Sequence, residues 1–192
     1  MKAQESRIAV QVVDYPTEPP LEAWDLQLDH LDMYVEEVME ELQAVRWAEK
    51  GGAPNHCTIQ AKSSRHNWGG SGTFSEIVMQ VSTGTVGGVG ATAIAAAIKI
   101  AYERLRDRSQ GESWSTIPSA DEAARLARSR LHLHYGAESD KLSVTSSEVD
   151  ADAQRYELEF SHADGRQFGA TVGAIDGIPS CTRVWMRGAM PR

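Results

Sequence analysis

Arg155-Tyr156-Glu157-Leu158-Glu159-Phe160-Ser161-His162, Ala163-Asp164-Gly165, Arg166-Gln167-Phe168-Gly169-Ala170-Thr171-Val172: the periodicity of this run marks a β-hairpin. Tyr156, Leu158 and Phe160 alternate with polar residues, and Phe168, Ala170 and Val172 repeat the pattern. A period of two places such residues on one face of a strand. Ala163-Asp164-Gly165 has the residues of a tight turn. Working outward, Leu142–Val149 and Cys181–Arg187 read as two further strands, the latter preceded by the turn Ile175-Asp176-Gly177. Ser119-Ala120-Asp121-Glu122 has the capping-box form, so a helix is expected from there to about Tyr135, where Gly136 stops it. A helix followed by a four-stranded antiparallel meander buries one sheet face on the helix.

Towards the N-terminus, the polar run Asp107–Ser113 is the best boundary, dividing the chain into 1–110 and 111–192. In the first part, Arg7–Val13 reads as a buried strand. After Pro16, Pro19 and Pro20, the positions Leu28, Leu31, Val35, Val38, Met39, Leu42 and Val45 recur at helical spacing. They predict an amphipathic helix from Leu21 to about Glu49. His56–Lys62 reads as a second strand. Thr73-Phe74-Ser75-Glu76 has the capping-box pattern, and a helix is expected from it to Arg106 or Arg108. The fold class expected is therefore α+β: a strand-helix-strand-helix unit with a Gly/Ala-rich central helix, then a helix and a four-stranded antiparallel meander.

The 192 residues carry a formal net charge of −8. Such a balance argues against bulk affinity for nucleic acid, which needs a basic face. Two cysteines, Cys57 and Cys181, are too few for a disulfide scaffold. With a polar N-terminus lacking a signal-like apolar stretch, they point to the cytoplasm.

Ile77–Ile98 is uncharged over about 20 residues, the length that spans a bilayer. Gly84 and Gly88 form a G-x-x-x-G pair, and Gly87, Ala91 and Ala95 continue the small-residue spacing. Three readings compete: a buried core helix, an oligomer contact through the glycine face, and membrane insertion, which Gln80 and several threonines oppose. The helix expected from Leu21 has an acidic face, with Asp25, Asp29, Asp32, Glu36, Glu37, Glu40 and Glu41. This face is either plain solvated charge or a docking surface for a basic partner. Gly69-Gly70-Ser71-Gly72-Thr73 before a helix would suit an anion but lacks a P-loop lysine. His30, His56, His66, His132, His134 and His162 are scattered, and no catalytic or metal motif appears. No cofactor or metal is implied.

In its order of elements the first half resembles the small effector-associated constant components of bacterial conflict systems. The elements are the strand Ile8–Val13, an acidic helix, a strand, the glycine-rich entry Gly69–Gly72, and a Gly/Ala helix closing on Arg104, Arg106 and Arg108. The likeness covers residues 7–108 and implies a non-enzymatic companion of effectors. The second half resembles a PepSY-type helix-and-sheet module through Arg155–Val172. Both likenesses are architectural, and fold alone does not establish function. The function expected is a non-enzymatic interaction or accessory component of a bacterial multi-protein system. It would act through a protein partner or self-association, with Gly84, Gly88, Asp25, Asp29, Asp32, Glu36 and Glu40 as contact residues. A membrane protein inserting residues 77–98 is the alternative, and a small enzyme with a spatially assembled site is the third reading.

Overall fold

Ser119 caps a helix, its hydroxyl accepting from the Glu122 N–H at 3.3 Å. In the computed structural model, which describes residues 5–13, 19–29, 34–47, 55–66, 72–82, 89–108, 116–175 and 177–187, the elements in order are as follows. Strands β1 (Glu5–Val13) and β2 (Glu22–Asp29) precede helix α1 (Val35–Gln43) and a 3-10 turn (Ala44–Trp47). Strands β3 (His56–His66) and β4 (Gly72–Ser82) lead to helices α2 (Val89–Asp107) and α3 (Ala120–Tyr135). Strands β5 (Leu142–Asp150), β6 (Arg155–His162), β7 (Gln167–Ile175) and β8 (Ile178–Arg187) follow. The fold is α+β.

The chain forms two compact units. Unit 1 comprises Met1–Glu18 and Asp25–Glu112; unit 2 comprises Pro19–Trp24 and Ser113–Arg192. A division near residue 110 alone would leave Pro19–Trp24 in the first unit, whereas these six residues pack with the second.

In unit 1, β4 lies between β3, antiparallel, and β1, parallel. The register sets Ile8 beside Ile77, Val10 beside Met79 and Val12 beside Val81, and all six are buried. Helices α1 and α2 bring Val38, Leu42, Ile94, Ile98 and Leu105 to the same interior. On the opposite face of the strands, Gln80 Nε2 donates to Gln11 Oε1 at 3.0 Å.

Two expected helices are corrected here. Residues 21–49 do not form one helix, because Glu22–Asp29 is strand β2 and α1 starts only at Val35. Asp25-Leu26-Gln27-Leu28-Asp29 also alternates with period two, and hydrogen bonding of Glu22–Trp24 along β8 selects the strand. The start of α1 is marked by Tyr34, whose N–H donates to Glu37 Oε2 at 2.8 Å. Thr73–Glu76 does not cap a helix either; it lies in β4. A strand paired on both sides satisfies its backbone fully, and the alternation Ile77, Met79, Val81 matches β1. The expected glycine-rich helix over 77–98 is thus strand to Ser82 and helix from Val89, with residues 83–88 outside the described residues.

Unit 2 follows the expected plan. β5, β6, β7 and β8 form an antiparallel meander, and Glu22–Trp24 adds a further antiparallel strand beside β8. Gly136 ends α3 in the left-handed conformation, its N–H bonded to His132 O at 2.9 Å. Gly165 and Gly177 take positive φ at the turns after β6 and β7. Ala123, Ala127, Leu131 and Tyr135 of α3 pack on Leu158, Phe160, Phe168, Ala170, Val172 and Val184. The short alanines let the helix lie close to the strands.

Candidate functional site

Since Phe168, Ala170 and Val172 face α3, the residues between them face the other way: Gly169, Thr171 and Gly173 on β7. The same parity turns Glu157 and Glu159 of β6, Arg183, Trp185 and Arg187 of β8, and Glu22 and Trp24 of β2 onto that second face. The register arranges them in rows. Glu157, Thr171, Arg183 and Trp24 are successive cross-strand neighbours; Glu159, Gly169, Trp185 and Glu22 form the next row.

Arg183 is the centre of this face. Its Nε donates to Glu22 Oε1 at 2.8 Å, joining residues 161 positions apart. Its guanidinium lies 4.7 Å from the centroid of the Trp24 ring and 4.6 Å from that of Trp185. A planar cation between two indoles gains from both ring faces. The side chains of Arg183 and Glu22 are 30% and 13% exposed, so the pair is only partly screened. Gly169 makes the arrangement feasible, because a Cβ built there would overlap the Trp185 indole. From the helix side, the Tyr135 hydroxyl lies 3.4 Å from Leu21 O and 3.3 Å from Val184 O, anchoring the same strands. Burial, with the Glu22 charge nearby, holds the Tyr135 hydroxyl protonated far above its ordinary range.

Beside this group, the Thr171 hydroxyl lies 3.0 and 3.1 Å from the two carboxylate oxygens of Glu157. Burial pushes the Glu157 carboxyl upward, against the Thr171 hydrogen bond and the Arg155 charge. Arg155 approaches Glu157 and Asp150 at 3.7 Å each, and Arg187 pairs with Glu159 at 2.6 Å. Two buried donors on this face, Trp24 Nε1 and Arg155 Nε, make no hydrogen bond. The face therefore presents aromatic rings and charges of both signs, held mostly by one another.

A second cluster sits at the turn between β6 and β7. His162 is 7% exposed; its Nδ1 lies 2.7 Å from Asp164 Oδ1, and its buried Nε2 has no hydrogen-bond partner. A carboxylate on Nδ1 is how a general base is oriented. The groups identified around the ring, however, are Phe168, edge-on at 6.5 Å between centroids, and the cross-strand neighbour Leu142. Asp164 also accepts from Arg166 N at 3.0 Å and Arg166 Nε at 2.7 Å. These contacts close the turn, and the Arg166 backbone N–H, with lesser help from His162 and the Arg166 side chain, draws the Asp164 carboxyl down to about 2.

The residues expected as contacts are dispersed. Gly84, Gly88 and Asp32 lie outside the described residues, as do Gly69–Ser71 of the suggested anion loop. Gly72 and Thr73 open β4, so no helix N-terminus follows that loop directly. Asp25 and Asp29 belong to β2 rather than to an acidic helix. Asp25 is bound by Arg7, through Nε to Oδ1 at 2.9 Å and Nη2 to Oδ2 at 2.7 Å. On α1, Glu36 and Glu40 are exposed, while Glu37 and Glu41 pair with Arg108 and Arg104 at 3.8 and 3.5 Å. The arginines that end α2 thus offset half of the acidic pattern on α1.

The group around Arg183 escapes sequence reasoning for one reason. Arg183 and Trp185 share a face of an expected strand, but their partners Glu22 and Trp24 fall within the helix expected from Leu21. Spacing i, i+2 in both Glu22/Trp24 and Arg183/Trp185 is the signal that was available. Among the described residues no group of three or more His, Cys, Asp or Glu side chains is placed to hold a metal ion. Cys57 is partly exposed, its thiol pushed up by burial, and Cys181 is buried. Among the described residues no helix is long and apolar enough to cross a membrane. Comparison with protein-family models, curated proteins and solved structures finds no match to this chain.

Proposed function

We propose that the protein is a non-enzymatic interaction component, an accessory of a bacterial multi-protein system, and that it recognises a protein partner through the unit 2 face centred on Arg183. The observation that carries this reading is the Arg183 guanidinium between Trp24 and Trp185, pinned by Glu22. Tryptophan and arginine dominate the energetics of protein interfaces, and here they are held in place before any partner arrives. Arg187, Glu159 and Arg155 surround them with charge of both signs, the composition of a polar rim. The exposed Glu36 and Glu40 of α1 are the second candidate contact, suited to a basic partner.

The test is affinity capture from the source cells, with variants compared against wild type. Arg187→Glu and Trp185→Ala are expected to lose the captured partner while remaining folded by circular dichroism. Glu36→Lys with Glu40→Lys is expected to retain it. The reverse pattern would move recognition to α1, and turnover of a small molecule by the purified protein would overturn the non-enzymatic reading.

A further inference from the structure

We propose that the outer edge of β5 is a strand-addition site, and that it takes an extended segment of a partner protein in which apolar and basic residues alternate. Strand β5 ends the sheet order and, among the described residues, pairs with β6 alone. A strand bonded on one side leaves a row of backbone N–H and C=O groups for another chain. Arg128 Nε donates to Leu142 O at 3.3 Å at the start of β5. Beyond that point Ser143, Val144, Thr145, Ser147, Glu148 and Val149 are exposed. Edges kept from pairing carry lysine or proline, or are very short. β5 has nine residues and contains neither lysine nor proline. Its one irregularity is the bulge at Thr145, between the Val144/Phe160 and Ser146/Glu159 pairs, and the register from Ser146 to Asp150 is regular.

The two sides of this edge ask for different side chains. Val144, Ser147 and Val149 lie opposite Phe160, Leu158 and Tyr156, which puts them on the α3 side of the sheet. Helix α3 lies mainly across β8 and β7, and Val144 and Val149 remain 40% and 52% exposed. Apolar residues on an added strand would cover them. On the other side Glu148 stands opposite Glu157, a like-charge pair. Arg155 lies 3.7 Å from both Glu157 and Asp150, while Glu148 makes no ion pair among the described residues. A lysine or arginine on the added strand would be the cross-strand neighbour of Glu148 and offset that repulsion. A second copy of the chain offers the opposite. Paired antiparallel over the whole of Ser146–Asp150, it would set Glu148 against its own counterpart. The net charge of −8 further favours the approach of a basic segment. The site lies on the sheet edge and does not depend on recognition at the Arg183 face.

The test uses the full-length protein and a capped octapeptide alternating Val and Lys, with a Val/Glu octapeptide as its charge-reversed control. Hydrogen exchange read by mass spectrometry locates the bound peptide, and its dependence on peptide concentration gives the affinity. The expected result is slowed exchange within Leu142–Asp150 and no change at Glu22–Trp24 or Ile178–Arg187. The Val/Lys peptide should bind about tenfold more tightly than the Val/Glu one. Glu148→Lys, at an exposed position, should remove or reverse that preference. Unchanged β5 exchange at millimolar Val/Lys peptide would overturn the proposal, as would equal affinities for the two peptides. Protection confined to Ile178–Arg187 would place the peptide on the Arg183 face instead. Slowed β5 exchange on raising the protein concentration alone would give the edge to a second copy, and either result also overturns the proposal. Partner capture through Trp185 and Arg187 succeeds or fails independently of all these outcomes.

Discussion

Strand β2 sets a carboxylate against an arginine in each unit, and the two arginines are held differently. In unit 1, Asp25 meets Arg7 in a two-pronged pair of 2.9 and 2.7 Å, with the arginine side chain 41% exposed. In unit 2, Glu22 makes one 2.8 Å bond to Arg183, and two indoles hold the rest of that guanidinium. Arg7 is thus positioned largely by charge and hydrogen-bond geometry, Arg183 by packing as well. Ion pairs open to solvent are screened by salt, while stacking on aromatic rings is much less so. A difference of three residues along one strand separates a polar clasp from an aromatic one.

The largest expected effect lies in the unit 2 core. Phe160→Ala and Phe168→Ala, both 1% exposed in the wild type, should each cost about 3–5 kcal/mol. Denaturant midpoints of unit 2 variants measure this; values equal to wild type would mean that the aromatic core does not hold the unit together. The next effect compares the two arginines directly. Arg183→Ala should cost about 2–4 kcal/mol, since it loses both ring contacts and leaves the largely buried Glu22 without its arginine. Arg7→Ala should cost about 1–2 kcal/mol, and that difference should shrink in about 1 M salt while the Arg183 difference largely persists. Equal salt dependence for the two would erase the distinction between them.

A smaller effect is expected at the helix that supports the aromatic face. Ser119→Ala removes the cap of α3 and should lower stability by about 1 kcal/mol, readable as a shift in the thermal midpoint. The smallest concerns the turn closed by Asp164. Its carboxyl is drawn down to about 2 in the folded protein, below the ordinary carboxylate value. A depressed carboxyl contributes stability that is present above its unfolded value and is lost as pH falls through its folded one. Wild type should therefore exceed Asp164→Asn at neutral pH, and the gap should close between pH about 4 and pH about 2. A gap that stays constant over that range would detach the turn from its carboxylate.

Unit 2 was legible because its signals are local and agree with one another. Ser119 and Gly136 bracket α3, and the alternations Tyr156-Leu158-Phe160 and Phe168-Ala170-Val172 admit only a strand. In unit 1 the local signals conflict. Leu28 and Val35 keep helical spacing although the first lies in a strand and the second opens a helix, and Thr73–Glu76 imitates a cap inside β4. Parallel pairing of β1 with β4 decides the matter there, and contacts between residues some 70 positions apart leave no local trace. The Arg183 group was hidden for the same reason: two of its four members sit on β2, whose conformation depends on β8.

The separation of Trp24 from Arg183 also has a consequence for biosynthesis. A ribosome adds roughly 5–20 residues per second. The 161 positions between Glu22 and Arg183 therefore correspond to roughly 8–30 s of translation. During that interval the nascent chain carries a tryptophan-bearing strand whose docking edge has not yet been made. Vectorial folding can complete unit 1 while leaving this segment bare, so chaperone occupancy during that interval bears on how the segment docks at the moment when β8 emerges.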